Sequence, residues 1–341
     1  MRAFKSFAVL VLVATTAASI AAQKIQINGA GATFPYVIYS KWFSEYNKLH
    51  PNIEINYQSQ GSGAGIRQLT NQTVFFGATD GPMTNEQLLA APGKILHVPT
   101  VLGAVVPVYN IPGVNAELKF TGPVLADIFL AKITKWNDPA ITKLNAGVNL
   151  PNTDITVVHR SDGSGTTYIW VDFLSKVSPA FKTKVGVNTA VNWPTGVGAP
   201  KNEGVAGLVT QTPGSLGYVE LIYALQNKIS YGSVQNMDGE FMKASVASVT
   251  AAAASAAGKM PPDFRVSIAN APGKGVYPVS SFTWLLFYEN PKDKTQAKVM
   301  VDFMKWALAD GQKYCADLGY APLPAEVVKL ELAALEKIKV G

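Results

Sequence analysis

Residues 24–49, KIQINGAGATFPYVIYSKWFSEYNKL, decide the fold, because they carry a strand, a tight loop and a helix in that order. Residues 24–28 have a strand pattern, and the glycine-rich segment 29–34 follows as the loop. Pro35 then opens a helix, where its missing N–H is not needed. Apolar residues recur at spacings of three and four up to Leu49. Strands that alternate with helices in this way predict an α/β fold.

The same order of strand, loop and helix returns twice along the chain. The loop is residues 61–65 in the second copy and 162–167 in the third, and both are rich in Gly, Ser and Thr. Glycines let the backbone turn sharply, and the first helical turn leaves N–H groups with partial positive charge. One such loop by itself is usually a helix cap. Three of them, with Arg160 beside the third, favour an anion-binding pocket.

The composition excludes several functional classes. The chain has 341 residues, 48% of them hydrophobic and 15% charged, which is enough apolar content for about two packed domains. From residue 23 onward, 27 basic and 23 acidic residues leave a balance of +4 without long basic runs, which argues against nucleic-acid binding. The only cysteine, Cys315, forbids an internal disulfide. The scattered His50, His97 and His159 indicate surface or loop histidines rather than a metal site.

The first 22 residues have the pattern of a secretory signal peptide. Arg2 and Lys5 precede an uncharged apolar segment, and small residues follow it. We expect cleavage near Ala21 or Ala22 and export of a soluble periplasmic protein. An uncleaved membrane anchor is the alternative, while the lack of a cysteine at the cleavage region excludes a lipid-anchored protein.

The rest of the chain predicts more elements of the same kind. Residues 95–110 hold two apolar runs separated by prolines, 281–288 predict a strand, and 297–308 predict an amphipathic helix. The Ala- and Ser-rich segment 244–258 predicts a surface helix without chemistry.

Motifs of the common enzyme classes are missing. No GxxxxGK[ST] segment is present, the glycines at 29–31 lack the third glycine of a dinucleotide fingerprint, and no GxSxG elbow occurs. A triad of Ser164, His159 and an acid can be drawn, but nothing marks its third member. The sequence therefore favours a binding protein over a hydrolase.

Four segments together resemble the periplasmic phosphate-binding proteins of phosphate ABC transporters. They are GAGATFP at 29–35, YQSQGSG at 57–63, FGATDGP at 76–82 and RSDGSGT at 160–166. Supporting segments such as GSLGYVE at 214–220 extend the resemblance over nearly all of residues 25–330.

The resemblance implies a type II periplasmic binding-protein fold, in which two α/β lobes enclose the ligand. The first lobe would comprise residues 23–100 and 279–341, and the second lobe residues 101–278. The chain would cross between the lobes near 99–103 and 277–281, and ligand binding would close them by hinge rotation.

The resemblance also implies which residues bind phosphate. They are Thr33, Phe34, Ser62, Asp80, Arg160, Ser164, Gly165 and Thr166. Arg160 would supply the only formal positive charge, Asp162 would orient it, and Asp80 would accept a hydrogen bond from a phosphate hydroxyl. The implied partners are phosphate and the membrane permease with its ATPase subunits, and we expect a monomer without a cofactor or bound metal.

Two alternatives stay open. A receptor for another oxyanion such as sulfate would share the fold, and Asp80 separates the two ligands because fully ionised sulfate has no proton to offer. Without the resemblance, Asp80 is better explained as a turn residue before Gly81. A secreted phosphatase-like enzyme would need a nucleophile, a metal or a base near the pocket, and the sequence marks none of them.

Overall fold

Strands and helices alternate through most of the chain, as expected of an α/β protein. The structure is a computed structural model that describes residues 24–258 and 260–341, so the predicted signal peptide lies outside the described residues. The strands are β1 Ile25–Gly31, β2 Ile53–Ser59, β3 Phe76–Thr79, β4 Ile95–Asn110, β5 Lys119–Phe120, β6 Thr156–Arg160, β7 Val197–Ala199, β8 Ser215–Glu220, β9 Ser230–Tyr231, β10 Ser233–Gln235, β11 Phe241–Met242 and β12 Ser280–Tyr288.

The helices connect these strands. They are α1 Tyr36–Leu49, α2 Ser62–Thr70, α3 Asn85–Ala90, α4 Gly122–Phe129, α5 Pro139–Thr142, α6 Gly165–Val177, α7 Pro179–Lys184, α8 Lys201–Gln211, α9 Leu221–Gln226, α10 Val246–Ala257, α11 Lys294–Leu308 and α12 Ala325–Leu335, with short 3₁₀ turns at Asp310–Tyr314 and Ala316–Leu318. Across the described ranges, no helix is long and apolar enough to cross a membrane.

The large sheet consists of two halves that share β4. The N-terminal half has the order β2-β1-β3-β12-β4, with β1 parallel to both of its neighbours. The central half has the order β4-β8-β6-β7, and β9 also pairs with β4. Because β1, β2 and β3 run parallel, the loops at their carboxyl ends meet at one edge of the sheet. The predicted α/β fold is confirmed.

Strand β4 links the two halves of the sheet. It pairs with β12 up to Ala104 and with β8 from Val105 onward. The two apolar runs of residues 95–110 therefore lie on one continuous strand, with the prolines inside it. Pro99 lies where the register against β12 shifts, and the Pro107 carbonyl accepts a hydrogen bond from Gly232. A proline lacks a backbone N–H, and an irregularity in pairing is where a strand accommodates that loss.

Aromatic clusters pack the helices onto both halves of the sheet. On the N-terminal half, the Phe43 ring of α1 lies 5.2 Å from the Phe303 ring of α11, centroid to centroid. On the central half, Trp170 of α6 stacks on Tyr218 of β8 at 5.3 Å. These buried contacts fix α1 and α6, the helices that begin at the first and third loops.

Two sequence expectations outside the site need correction. Helix α10 is not a plain surface helix, because Val249, Ala252 and Ala253 are fully buried and the helix packs against β4 and β12. His97 is not a surface residue either. It is buried on β4, and its Nε2 accepts the Met83 N–H at 3.1 Å.

Candidate functional site

Loops from the two halves of the sheet meet across a narrow cleft. The Gly63 N–H donates to the Gly163 carbonyl at 2.9 Å. Gly165, at the start of α6, approaches the other side so closely that a Cβ there would lie 2.5 Å from both Asp80 Oδ2 and Ser62 Oγ. Only glycine fits at such a contact, and it brings the N-termini of α2 and α6 to one point.

Arg160 ends β6 and is almost fully buried in the cleft. Its Nε and Nη2 bond to the two carboxylate oxygens of Asp162 at 2.7 and 2.5 Å. Partial burial raises the pKa of Asp162, but the hydrogen bonds and charge of Arg160 outweigh it and hold that pKa below its usual value. The bidentate pair fixes the guanidinium plane and leaves Nη1 directed at the hydroxyls of Thr33 and Thr166, each 3.4 Å away.

The first loop is held by three tyrosine hydroxyls that donate to consecutive carbonyls. The bonds run from Tyr57 to Ala32 at 2.7 Å, from Tyr223 to Thr33 at 2.6 Å and from Tyr320 to Phe34 at 2.6 Å. In the described part of the chain, the N–H groups of Thr33 and Phe34 meet no protein acceptor. The loop is thus fixed by its carbonyls, and two N–H donors remain for a ligand.

Ser164 caps α6 and keeps a donor for the pocket. Its Oγ accepts the Thr167 N–H at 3.0 Å, and its own N–H donates to the Thr189 carbonyl at 2.8 Å. The side chain is fully buried. Because the oxygen already accepts, the hydroxyl proton is available to an anion at the helix N-terminus.

Asp80 places a carboxylate beside these donors. It follows β3, is 1% exposed, and accepts a hydrogen bond from Thr283 Oγ1 on Oδ1 at 2.7 Å. Its own N–H donates to Ser62 Oγ at 3.1 Å. Burial raises the pKa of Asp80 to about 7, against the opposing effects of Thr283, Arg160 and Ser62. An acceptor of this kind suits a ligand that carries a proton.

The structure brings together all eight sequence-predicted site residues and Asp162 around this cleft. Its donors are backbone N–H groups, hydroxyls and one guanidinium, and the positive charge of Arg160 is balanced by Asp162. A donor set of this kind is chemically suited to a tetrahedral oxyanion.

Comparisons with known proteins agree with this geometry. Residues 15–310 match the family model of the PBP superfamily domain. A phosphate-binding protein PstS from Xylella fastidiosa is 47% identical over 308 residues, covering 90% of this chain and 84% of the relative. The PstS protein of Pasteurella multocida is 45% identical over 323 residues, covering 94% and 93%. The chain belongs to the PstS family of phosphate-binding proteins.

Solved structures share the fold of this PstS-family chain. A high-affinity periplasmic phosphate-binding protein solved with phosphate aligns with a TM-score of 0.72 at 22% identity, covering 91% of this chain and 93% of that one. A phosphate-binding protein from Stenotrophomonas maltophilia aligns with a TM-score of 0.68 at 19% identity, covering 90% and 93%. The predicted type II binding-protein architecture is confirmed.

Hydrolytic chemistry finds no support in the PstS-family site. His159 directs Nδ1 at the Arg160 carbonyl, 3.0 Å away, and its ring stacks on Trp193 at 5.1 Å. It shares no hydrogen bond with Ser164 in the residues that the structure describes. Over the same residues, no group of three or more His, Cys, Asp or Glu side chains could hold a metal ion. The triad drawn from the sequence is not formed.

Sequence reasoning missed Asn202, which lies at the start of α8. The side chain is fully buried, and its Nδ2 donates to Thr33 Oγ1 at 2.8 Å and to Thr166 Oγ1 at 3.1 Å. The only local signal is Pro200 before a helix, a common arrangement that indicates no ligand. Its place beside the pocket depends on tertiary structure alone.

Proposed function

We propose that this chain binds inorganic phosphate and passes it to the membrane permease of an ABC transporter. The observation that carries the proposal is Asp80, a buried carboxylate that faces a pocket otherwise composed of hydrogen-bond donors. A phosphate that keeps one proton supplies both oxygens for the donors and a hydroxyl for Asp80. The relatives at 43–47% identity carry the name phosphate-binding protein.

We assign the contacts to phosphate residue by residue. Backbone N–H groups and hydroxyls would bind three of its oxygens, together with the guanidinium of Arg160, and Asp80 would bind the hydroxyl. The donors are Thr33, Phe34, Ser62, Ser164, Gly165 and Thr166. Asp162 would keep Arg160 in place without touching the anion, since both its oxygens already accept from Arg160.

We further propose that the two halves of the sheet belong to lobes that close on phosphate. The exchange of partners along β4 at Ala104 and Val105 supports a crossing there, and the bond from the Val105 N–H to the Val279 carbonyl supports a second one beside it. The crossing on β4 then lies a few residues beyond the expected boundary at 100, so residues 23–104 and 279–341 would form one lobe, and 105–278 the other.

Arg265 would join these lobes outside the pocket. Its Nη1 donates to the Met83 carbonyl and to Asn85 Oδ1, both at 2.9 Å, and Asp263 holds its Nε at 2.8 Å. Met83 follows Asp80 by three residues, so this contact would fix the segment that carries the carboxylate.

We propose export by cleavage of residues 1–22 and action as a periplasmic monomer that docks on the permease and its ATPase subunits. The basic start, the apolar segment and the small residues at the cleavage region support export. A sulfate receptor is disfavoured, because Asp80 would face an oxygen without a proton. A phosphatase-like enzyme is disfavoured by the position of His159.

Equilibrium dialysis of phosphate-stripped protein tests the proposal. We expect one phosphate bound per chain, no displacement by equimolar sulfate, and no release of phosphate from a phenyl phosphate ester. Failure to bind phosphate, displacement by sulfate, or ester turnover that follows the protein through purification would contradict it.

A further inference from the structure

The side chain of Asn202 donates hydrogen bonds to two threonine hydroxyls of the pocket. Its Nδ2 donates to Thr33 Oγ1 and Thr166 Oγ1, and its Oδ1 accepts the Glu220 N–H at 3.1 Å. The residue is fully buried, so water does not compete for these bonds. Thr33 lies 169 positions away and Thr166 lies 36 away, and the amide joins them at one point.

The Glu220 N–H decides which way the amide of Asn202 faces. A backbone N–H can only donate, so the carbonyl oxygen of the side chain must lie on that side. The amino group then faces the pocket, and its two hydrogens match the two threonine oxygens. A flipped amide would place its amino group against the Glu220 N–H, which cannot accept, and that buried mismatch excludes the flip.

Accepting these bonds leaves the two hydroxyls with their protons free. A threonine hydroxyl has one proton and two lone pairs, and Asn202 occupies a lone pair on each oxygen. Arg160 Nη1 approaches the same oxygens at 3.4 Å and has the same effect. Each hydroxyl can therefore only turn its proton toward the space that the anion would fill.

We propose that Asn202 is a positioning residue that sets both threonine hydroxyls as donors to phosphate. The inference rests on the proposed function, because it names how that same pocket is polarised. It also explains why the pocket needs few formal charges: donors that are oriented before the ligand arrives lose less free energy on binding. Asn202 acts on phosphate only through Thr33 and Thr166.

Two substitutions separate this role from packing. Asn202→Ala removes the two side-chain bonds but keeps the longer contacts of Arg160 Nη1 with both hydroxyls and of the residue-202 N–H with Thr33, all at 3.4 Å. The hydroxyls are then less tightly oriented, so we expect phosphate affinity to fall about 10-fold, the size of one neutral hydrogen bond. Asn202→Asp keeps the shape but reverses the bonds, since a carboxylate accepts from both hydroxyls and draws their protons away from the anion. We expect a loss of about 100-fold or more, because a second negative charge then lies near phosphate.

The matched control is Asn145→Asp. Asn145 is also a buried asparagine of the central part of the chain, and its amide bonds only to the backbone of Lys119 and Ile141. The same change of amide to carboxylate there also buries a negative charge but touches no pocket hydroxyl. Its cost in stability is at least as large, because the carbonyls of Lys119 and Ile141 cannot donate to the carboxylate. We expect its phosphate affinity to equal that of the wild type.

Calorimetric titration of phosphate into stripped proteins at pH 7.5 gives the test, with melting temperatures taken without phosphate. The decisive measurement repeats Asn202→Ala in a chain that already carries Thr33→Val and Thr166→Val. There we expect Asn202→Ala to weaken phosphate binding by less than about twofold. A full loss that persists without the hydroxyls assigns Asn202 a packing role and overturns the inference. So does wild-type affinity in both Asn202 variants. Failure of the wild type to bind phosphate would instead overturn the proposed function.

Discussion

Replacing Asp80 with asparagine reverses the hydrogen-bonding character of one point in the pocket. Thr283 Oγ1 donates to Oδ1 at 2.7 Å, so the amide oxygen of Asp80→Asn takes that place. The amino group must then occupy the place of Oδ2, next to Ser62 and Gly165. The wild type presents an acceptor to the ligand there, and the variant presents a donor.

The geometry sets the sign of the effect on each anion, and general hydrogen-bond energies set its size. A hydrogen bond from phosphate to a buried carboxylate contributes about 1.5–3 kcal/mol, so we expect Asp80→Asn to weaken phosphate binding about 10- to 150-fold. Sulfate gains, because a bare oxygen now meets an N–H in place of a negative charge. We expect the wild type to prefer phosphate over sulfate by about 10⁴-fold, and this preference should fall by about 100-fold or more in Asp80→Asn.

The pH adds an independent check on the same residue. Burial raises the pKa of Asp80 to about 7, so the carboxyl group holds a proton below that pH and can donate it to sulfate. Sulfate affinity of the wild type should therefore rise as the pH falls from 8.5 through 7, by about 30-fold at about tenfold per pH unit, and then level off. Asp80→Asn has no such proton and should show a flat profile.

Titrations of sulfate and phosphate into stripped wild type and Asp80→Asn at pH 5.5, 7 and 8.5 provide the assay. Asp302→Asn is the control, because this residue of α11 is exposed and pairs with Lys298 at the surface. If Asp80→Asn excludes sulfate as strictly as the wild type at every pH, Asp80 is a turn residue and the argument for selectivity is refuted.

Three further predictions rest on contacts in the structure, and a fourth rests on the sequence. Arg160→Ala should weaken phosphate binding about 10- to 1000-fold in calorimetry, since it removes the cation and leaves Asp162 unpaired; unchanged affinity would remove Arg160 from the site. Gly165→Ala should abolish binding in dialysis, because its Cβ would lie 2.5 Å from Asp80 Oδ2, and retained binding would contradict the closed geometry. Arg265→Ala should speed phosphate dissociation about tenfold in stopped-flow, the size of a lost bridging hydrogen bond, with association unchanged. Intact-mass measurement of periplasmic protein should place the mature N-terminus near Gln23; a full-length chain found in the membrane fraction would contradict this.

The site residues that could be predicted from the sequence are those in short loops whose backbone conformation depends on neighbouring residues. Gly61, Ser164 and Gly165 lie in short loops whose glycines and helix caps are readable within six residues, and the structure places those loops at one edge. Arg160 and Asp162 are two positions apart, so their pairing is also a local property.

The remaining features depend on tertiary register. The two apolar runs of residues 95–110 lie on one strand because that strand pairs with both β12 and β8. Asn202 and Tyr320 reach the first loop from 169 and 286 positions away, and no spacing in the sequence indicates such contacts. Burial of His97 likewise follows from the sheet that covers it rather than from its neighbours in the chain.

A crystal structure of the stripped protein after addition of phosphate would show directly whether the anion binds in this cleft. We expect one tetrahedral anion in the cleft, with Arg160 Nη1 and the hydroxyls of Ser62, Ser164 and Thr166 at about 2.6–3.0 Å from its oxygens. One oxygen should lie about 2.5–2.7 Å from the Asp80 carboxylate, the distance of a proton shared with a charged acceptor. An anion bound elsewhere in the molecule, with this cleft holding only water, would contradict the account.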